Sequence, residues 1–172
     1  FCADMAEAFA AVICCDKRQG QAMVLQALCE GLTPMELQRR YHWIQGKPSM
    51  RADAMRAEFV MNHGGKFEVL ELTPDKVAVR ITDADQRTRD FSITWEQALQ
   101  EPWPWKKECG PLAVDPKTGH VDPRRLEPTA ANLKDNWATP RGRQNMMFAR
   151  MTSEGLRAMC AQLVAGIYTP ED

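Results

Sequence analysis

The residues with the clearest chemical potential are arginines near the C-terminus. Arg143, Arg150 and Arg157 recur every seven residues in a stretch, 141–166, whose apolar periodicity predicts a long helix. We call these three residues the arginine row. Arg141 lies just upstream. On a helix the row lies opposite an apolar face formed by Phe148, Thr152, Leu156, Met159 and Leu163. Because guanidinium groups bind phosphate oxygens bidentately, a row with a spacing of about 10 Å can follow a sugar-phosphate chain. A solvated basic face, interrupted by Glu154, is the alternative.

A second basic site is predicted around positions 46–51. Ser49 suits the N-cap of a helix that runs to about residue 63, so Lys47 and Arg51 would flank a helix N-terminus, whose free amides attract anions. The G-x-x-x-x-G-K pattern is absent, so nucleotide hydrolysis is not indicated. A plain strand-to-helix turn explains the same residues.

Aromatic side chains offer possible stacking platforms for unpaired bases. Trp43 follows Tyr41 in a short aromatic stretch, and Trp137 lies in a predicted loop beside basic residues, as do Trp103 and Trp105. Trp95 is predicted to be in the core. Loop tryptophans can equally well cap a hydrophobic core, so both interpretations stay open.

Composition limits the classes of protein to consider. The 172 residues suit one domain, and the net charge of −1 gives no overall basic field, although 34–66 and 134–157 are locally basic. Six cysteines form no C-x-x-C pair, which favours a reducing cytosol. No apolar run is long enough for a membrane span, and Phe1 suggests a core trimmed at both ends.

Catalytic patterns are weak. His42, His63 and His120 are dispersed without cysteines at ligand spacing, so no zinc site is predicted. Carboxylates at Glu68, Glu71, Asp75, Asp83 and Asp85 could serve a Mg²⁺-dependent nuclease, but a solvated sheet face also explains them. We therefore expect a protein that is not an enzyme and needs no metal or cofactor, with the nuclease as an alternative.

The elements that position these residues follow from periodicity. Helices are predicted at 3–15, which is nearly apolar all round, and at 19–30, with a short helix capped by Thr33. A strand at 41–45 precedes the helix that Ser49 would cap, and alternation at 66–72, 76–82 and 89–94 predicts an antiparallel meander. A short helix at 95–100 leads into a proline-rich connection, residues 101–139, before the last helix. We expect one α+β domain over 1–172, with helices packed on a small antiparallel three-stranded sheet and a long C-terminal core helix.

Three segments resemble one protein family. They are Gly31-Leu32-Thr33-Pro34-Met35 with Gly46-Lys47-Pro48-Ser49-Met50, the run from Pro140 to Arg150, and the closing segment from Cys160 to Asp172. Their order resembles the core of RecT/Redβ-like phage single-strand annealing proteins.

The resemblance implies that the protein binds single-stranded DNA, anneals complementary strands without ATP through a duplex intermediate, and assembles into rings or helical filaments. It also implies a phage exonuclease partner in the bacterial cytoplasm and no membrane. We expect Lys47, Arg51, Arg141 and the arginine row to contact phosphates, with Trp43 and Trp137 stacking on bases. Replacing Arg143 and Arg150 with alanine should then weaken DNA binding without changing thermal unfolding. The alternative is a viral assembly protein that does not bind DNA.

Overall fold

The computed structural model describes Asp4, Glu7 and residues 16–44, 47–115 and 117–164, apart from the side chains at positions 17, 19, 34, 43, 44, 47, 48, 162 and 164. It is an α+β fold with a three-stranded antiparallel sheet and a long helix near the C-terminus, as the sequence predicts. The helices are α1 (Lys17–Glu30), α2 (Pro34–Arg40), α3 (Ala52–Asn62), α4 (Trp95–Leu99), α5 (Asp135–Ala138) and α6 (Pro140–Met159). The strands are β1 (Tyr41–Ile44), β2 (Lys47–Met50), β3 (Lys66–Leu72), β4 (Lys76–Thr82) and β5 (Thr88–Thr94).

The N-terminal elements are tied together around Tyr41. Helix α2 begins with the predicted Thr33 cap, which forms a reciprocal capping box with Glu36. The Tyr41 hydroxyl donates a hydrogen bond of 2.6 Å to Glu30 at the end of α1. Arg40 pairs with Glu30 and also with Glu58 of α3. This polar cluster therefore holds α1, α2, β1 and α3 in one arrangement.

The segment after β1 differs from the prediction. Ser49 is not a helix N-cap, because residues 47–50 form strand β2, which pairs antiparallel with β1. His42 is opposite Ser49 and Tyr41 is opposite Met50. This pairing satisfies the backbone groups of the segment and buries Ser49 and Met50, so α3 begins later, with Arg51 at the N-cap.

The three-stranded sheet has the order β3-β4-β5, with β4 in the centre. Val77, Val79 and Ile81 of β4 are fully buried on one face. On the other face Arg80 of β4 pairs with Asp90 of β5 at 2.8 Å. One face therefore belongs to the core and the other is polar, as the alternation of the sequence predicts.

Helix α6 covers the buried face of the sheet. Its buried residues are Met147, Met151, Thr152, Gly155 and Leu156. A Cβ atom added to Gly155 would lie 2.5 Å from Cδ1 of Ile81, so the helix approaches β4 closely at this glycine. The helix is shorter than predicted, because the backbone of Cys160 leaves the helical region and a 3₁₀ turn follows at Ala161–Val164.

The proline-rich connection is largely irregular, as predicted, but it packs closely on the core. Trp105 pairs with Leu133 in an isolated bridge, and both side chains are buried. The Trp105 indole donates a hydrogen bond to the carbonyl of Leu99 at 3.0 Å. Two short helical pieces, at Pro123–Leu126 and α5, interrupt the connection.

The predicted first helix at 3–15 lies outside the described residues except for Asp4 and Glu7, which are helical and exposed. Among the residues that the structure describes, no helix is both long and apolar enough to span a bilayer.

Candidate nucleic-acid interface

Arg143 lies in the second turn of α6 beside the sheet. Its guanidinium carbon is 5.1 Å from the ring centroid of Trp95, and its Nη2 is 3.9 Å from a carboxylate oxygen of Asp75. The side chain is 25% exposed, and its buried Nε has no hydrogen-bond partner. Arg143 is thus held against an aromatic ring at one edge of the helix.

Arg150 is held in the same way two turns later. Its guanidinium carbon lies 4.4 Å from the ring centroid of Trp103, in the proline-rich connection. Lys134, from the far end of that connection, is close enough for Arg150 to affect its titration. Burial lowers the pKa of the Lys134 ammonium, and the nearby positive charge of Arg150 lowers it further. Two cations and an indole ring therefore meet on this side of α6.

The other two arginines of α6 differ in exposure. Arg141 is exposed in the first turn, where the Thr139 hydroxyl caps the helix by accepting a hydrogen bond from the amide of Gly142 at 3.1 Å. Arg157 is partly exposed in the last turn, a position where a cation also interacts favourably with the helix dipole.

The predicted orientation of the arginine row needs correction. All three side chains are partly covered, and the buried face of α6 includes Met147 and Met151 rather than Phe148 and Met159, which are only half buried. The reason lies in tertiary packing. Trp95 of α4 and Trp103 of the connection pack beside the helix and cover Arg143 and Arg150, so these two arginines flank the core instead of pointing straight into solvent.

The proposed stacking role of Trp137 is also wrong for this structure. The ring is 2% exposed and stacks on Trp95, with centroids 6.2 Å apart and planes inclined by 22°. A buried indole has no free face for a base, so Trp137 belongs to the core. The side chains of Trp43 and Lys47 lie outside the described part of the structure, although their backbones belong to β1 and β2.

Arg51 is the N-cap residue of α3, and its side chain makes no capping hydrogen bond. It is 48% exposed and contacts Asp53 at 3.3 Å. Lys47 does not flank the helix start as predicted, because it is the first residue of strand β2 and α3 begins only at Ala52.

A cavity of about 360 Å³ opens beside Arg51, between α3, β1 and α6; we call it the α3–α6 cavity. The residues that line it are His42, Arg51, Ala52, Asp53, Arg56, Met146, Phe148, Ala149 and Thr152. Two guanidinium groups, one imidazole and the carboxylate of Asp53 therefore line a space whose other walls are mostly apolar.

Of these residues only Arg51 belongs to the sequence-based site; His42, Arg56 and Thr152 are among those it lacks. Arg56 lies one turn and a half beyond Arg51 on α3, and Thr152 looks like an ordinary core position on α6. They come together only because α3 packs across α6, a contact that no local pattern signals.

The carboxylates of the sheet are engaged with basic side chains. Asp83 accepts from Arg87 at 2.7 Å, and Glu71 lies 2.7 Å from Lys76. Asp83 is almost buried, which by itself raises the pKa of its carboxyl, but the hydrogen bonds and charge of Arg87 outweigh this and the pKa is lowered. Within the described ranges no group of three or more His, Cys, Asp or Glu side chains could hold a metal ion.

Comparison with known proteins adds no identification: no family model, no curated protein and no solved structure matches this chain. The class that can be stated is an α+β protein with basic side chains clustered along α6 and at the start of α3.

Proposed function

We propose that the protein binds single-stranded DNA through the sugar-phosphate backbone and anneals complementary strands without ATP, in phage-type homologous recombination. An annealing protein must hold phosphates while the base edges stay free to pair. Contacts between positive side chains and the backbone meet this requirement, whereas base-specific readout does not.

The observation that carries the proposal is the fixed position of two arginines along α6. Arg143 and Arg150 each lie against a tryptophan ring, at 5.1 and 4.4 Å. Contact with an aromatic ring restrains each guanidinium, so less side-chain entropy is lost when a phosphate binds. Arg141 adds an exposed positive charge at the start of the same helix.

The crowding of Lys134 and Arg150 supports the same function. The positive charge of Arg150 lowers the pKa of Lys134, and an anion between the two cations would relieve this repulsion. Negative charges nearby oppose this attraction in part: Asp75 is 3.9 Å from Arg143, and Glu154 lies on the same helix.

Assembly into a ring or helical filament belongs to the proposal, as do a duplex intermediate, a phage exonuclease partner and a place in the bacterial cytoplasm. Many weak sites in a row compensate for a subunit with a net charge of −1. The edge strand β3 supports self-association, because Val69, Leu70 and Leu72 are all more than 40% exposed on it.

The test is a salt titration of binding to a fluorescent thymidine oligonucleotide. We expect log affinity to fall linearly with log salt, with a slope of about −0.7 for each phosphate contact. Arg141→Ala should reduce this slope, whereas Arg124→Ala, an exposed arginine paired with Asp122 in the connection, should not. Binding that is absent, or that does not depend on salt, would overturn the proposal.

Annealing is measured separately, by fluorescence transfer between two complementary labelled strands without nucleotide triphosphate. A protein that binds single strands but does not accelerate their pairing would lack the annealing activity. A viral assembly protein, the alternative, would form oligomers and show neither activity.

A further inference from the structure

The α3–α6 cavity combines a cationic rim with an apolar floor. Arg51 and Arg56 lie at its α3 side, and Met146, Phe148 and Ala149 of α6 form the opposite wall. Its volume of about 360 Å³ is within the usual range of small-ligand sites, about 300–1,000 Å³. Its size and chemistry suit a small ligand with one anionic and one apolar part.

Arg56 lies against two aromatic rings at this site. Its guanidinium carbon lies 5.6 Å from the ring centroid of Phe67 and 5.8 Å from that of Phe148. The two rings also meet edge to face, at 6.1 Å and 85°. A cation that two aromatic rings position in advance loses little freedom when it binds an anion.

The start of α3 adds backbone donors. The first amides of a helix have no partner within the helix, and the N-cap side chain of Arg51 supplies none. These amides and the helix dipole favour an anion at the cavity rim. Asp53, which is exposed and contacts Arg51 at 3.3 Å, opposes this attraction in part.

An independent observation comes from α6. Thr152 lines the same cavity and is 1% exposed, yet its hydroxyl makes no hydrogen bond. A buried hydroxyl without a partner costs free energy in the unliganded protein. A ligand atom in the cavity can supply the missing partner.

We propose that the α3–α6 cavity is a subsite for one nucleotide unit of the bound single strand, with its phosphodiester at Arg51, Arg56 and the start of α3 and its sugar or base against Phe148 and Thr152. This inference rests on the proposed function and adds to it a discrete site away from the tryptophan-stacked arginines.

The experiment compares variants of the 172-residue chain for binding of the thymidine oligonucleotide. Arg56→Gln should reduce the magnitude of the salt slope by about 0.7, the value for one phosphate contact on a single strand. Thr152→Val should lower affinity about two- to tenfold, the effect of one lost hydrogen bond, while its thermal midpoint stays equal to or rises above that of the parent. Asp53→Asn should raise affinity. Arg124→Gln is the matched control and should change none of these values.

A purely structural role for Thr152 would not lower affinity in a variant that is at least as stable. If the parent protein binds the oligonucleotide with a salt dependence but Arg56→Gln and Thr152→Val bind equally well, the subsite is wrong and the proposed function remains. If the parent shows no such binding, the proposed function is wrong, and the subsite that rests on it is wrong as well.

A last experiment tests whether the cavity binds one unit of the strand or a free nucleotide. Thymidine monophosphate and inorganic phosphate are each titrated while the thermal midpoint is followed. If thymidine monophosphate stabilises the parent but not Arg56→Gln, and the oligonucleotide binds both equally, the cavity serves a free nucleotide and the assignment to the strand is overturned. Loss of oligonucleotide affinity in Arg56→Gln supports the assignment.

Discussion

The guanidinium of Arg150 lies over the indole ring of Trp103, 4.4 Å from its centroid. This contact joins the middle of α6 to the start of the proline-rich connection, so it contributes to the fold as well as to the charge of the proposed interface. Arg143 makes the equivalent contact with Trp95. The arginines that are the best candidates for phosphate contacts are therefore also packing residues.

The first prediction follows from this double role. Arg150→Ala should weaken DNA binding and also lower stability by about 0.5–2 kcal/mol, since a cation–π contact is lost. The expectation that the Arg143→Ala, Arg150→Ala variant unfolds like the parent is thereby revised. Arg150→Lys keeps the charge and separates the effects: we expect it to recover more of the affinity than of the stability. Calorimetry and oligonucleotide titration measure the two quantities, and an alanine variant with unchanged unfolding would contradict the packing role.

Local patterns were sufficient for much of the fold. The alternation in β3, β4 and β5 reflects one buried and one polar face, and the capping box of Thr33 and Glu36 marks the start of α2 by local hydrogen bonds. Strand β2 was missed because Pro48 and Ser49 suggest a helix start. Its conformation depends on pairing with β1 rather than on its own residues.

The site was less predictable, because it depends on contacts between segments far apart in the sequence. The arginine row has the predicted spacing on α6, but only the packing of Trp95 and Trp103 decides how far each side chain is exposed. Trp137 has charged residues near it in the sequence, as a loop tryptophan often does, but its side chain is buried. The arginine at position 56 gains its role from Phe67 and Phe148, one on β3 and one on α6.

A second prediction concerns the close approach of α6 to the sheet. Gly155→Ala should destabilise the protein by about 1–3 kcal/mol, because the new methyl would lie 2.5 Å from Ile81 and 3.0 Å from Phe91 in a packed core. Alanine's higher helix propensity offsets at most about 1 kcal/mol. Asn145→Ala, at an exposed position of the same helix, tests propensity alone and should be neutral or slightly stabilising. Equal midpoints for Gly155→Ala and the parent in thermal unfolding would contradict the tight crossing.

A third prediction concerns the buried hydroxyl of Tyr41. Tyr41→Phe should cost about 1.5–3 kcal/mol, because the hydrogen bond to the Glu30 carboxylate is lost. Burial and this carboxylate raise the pKa of Tyr41, so its contribution is present below about pH 10 and is lost at higher pH. Denaturant unfolding measures the cost. Thr88→Val, which removes an exposed hydroxyl bond to Thr82, is the control and should change stability little.

A fourth prediction tests self-association through the edge of the sheet. Strand β3 pairs with β4 and leaves its other edge open in the described part of the chain, with Val69, Leu70 and Leu72 exposed. Leu70→Lys should shift sedimentation towards smaller species, because a charged residue on an edge strand opposes pairing with another strand. Leu112→Lys, at an even more exposed apolar position in the connection, should not. Identical sedimentation of both variants and the parent would show that this edge does not mediate self-association.

The last prediction concerns His42 in the α3–α6 cavity. The pKa of its imidazole is lowered, first by desolvation and then by the Arg51 guanidinium, with Asp53 acting in the opposite direction. Since the unfolded chain takes up the proton more readily, the contribution of His42 to stability is complete above about pH 6.5 and is lost as the pH falls through the lowered folded value. A phosphodiester in the cavity favours the charged imidazole, so its pKa rises on binding and protons are taken up. Oligonucleotide affinity should therefore increase below about pH 6.5, and His42→Gln should remove much of that increase. A pH profile of affinity that is the same in His42→Gln and in the parent would show that no phosphate lies near the imidazole.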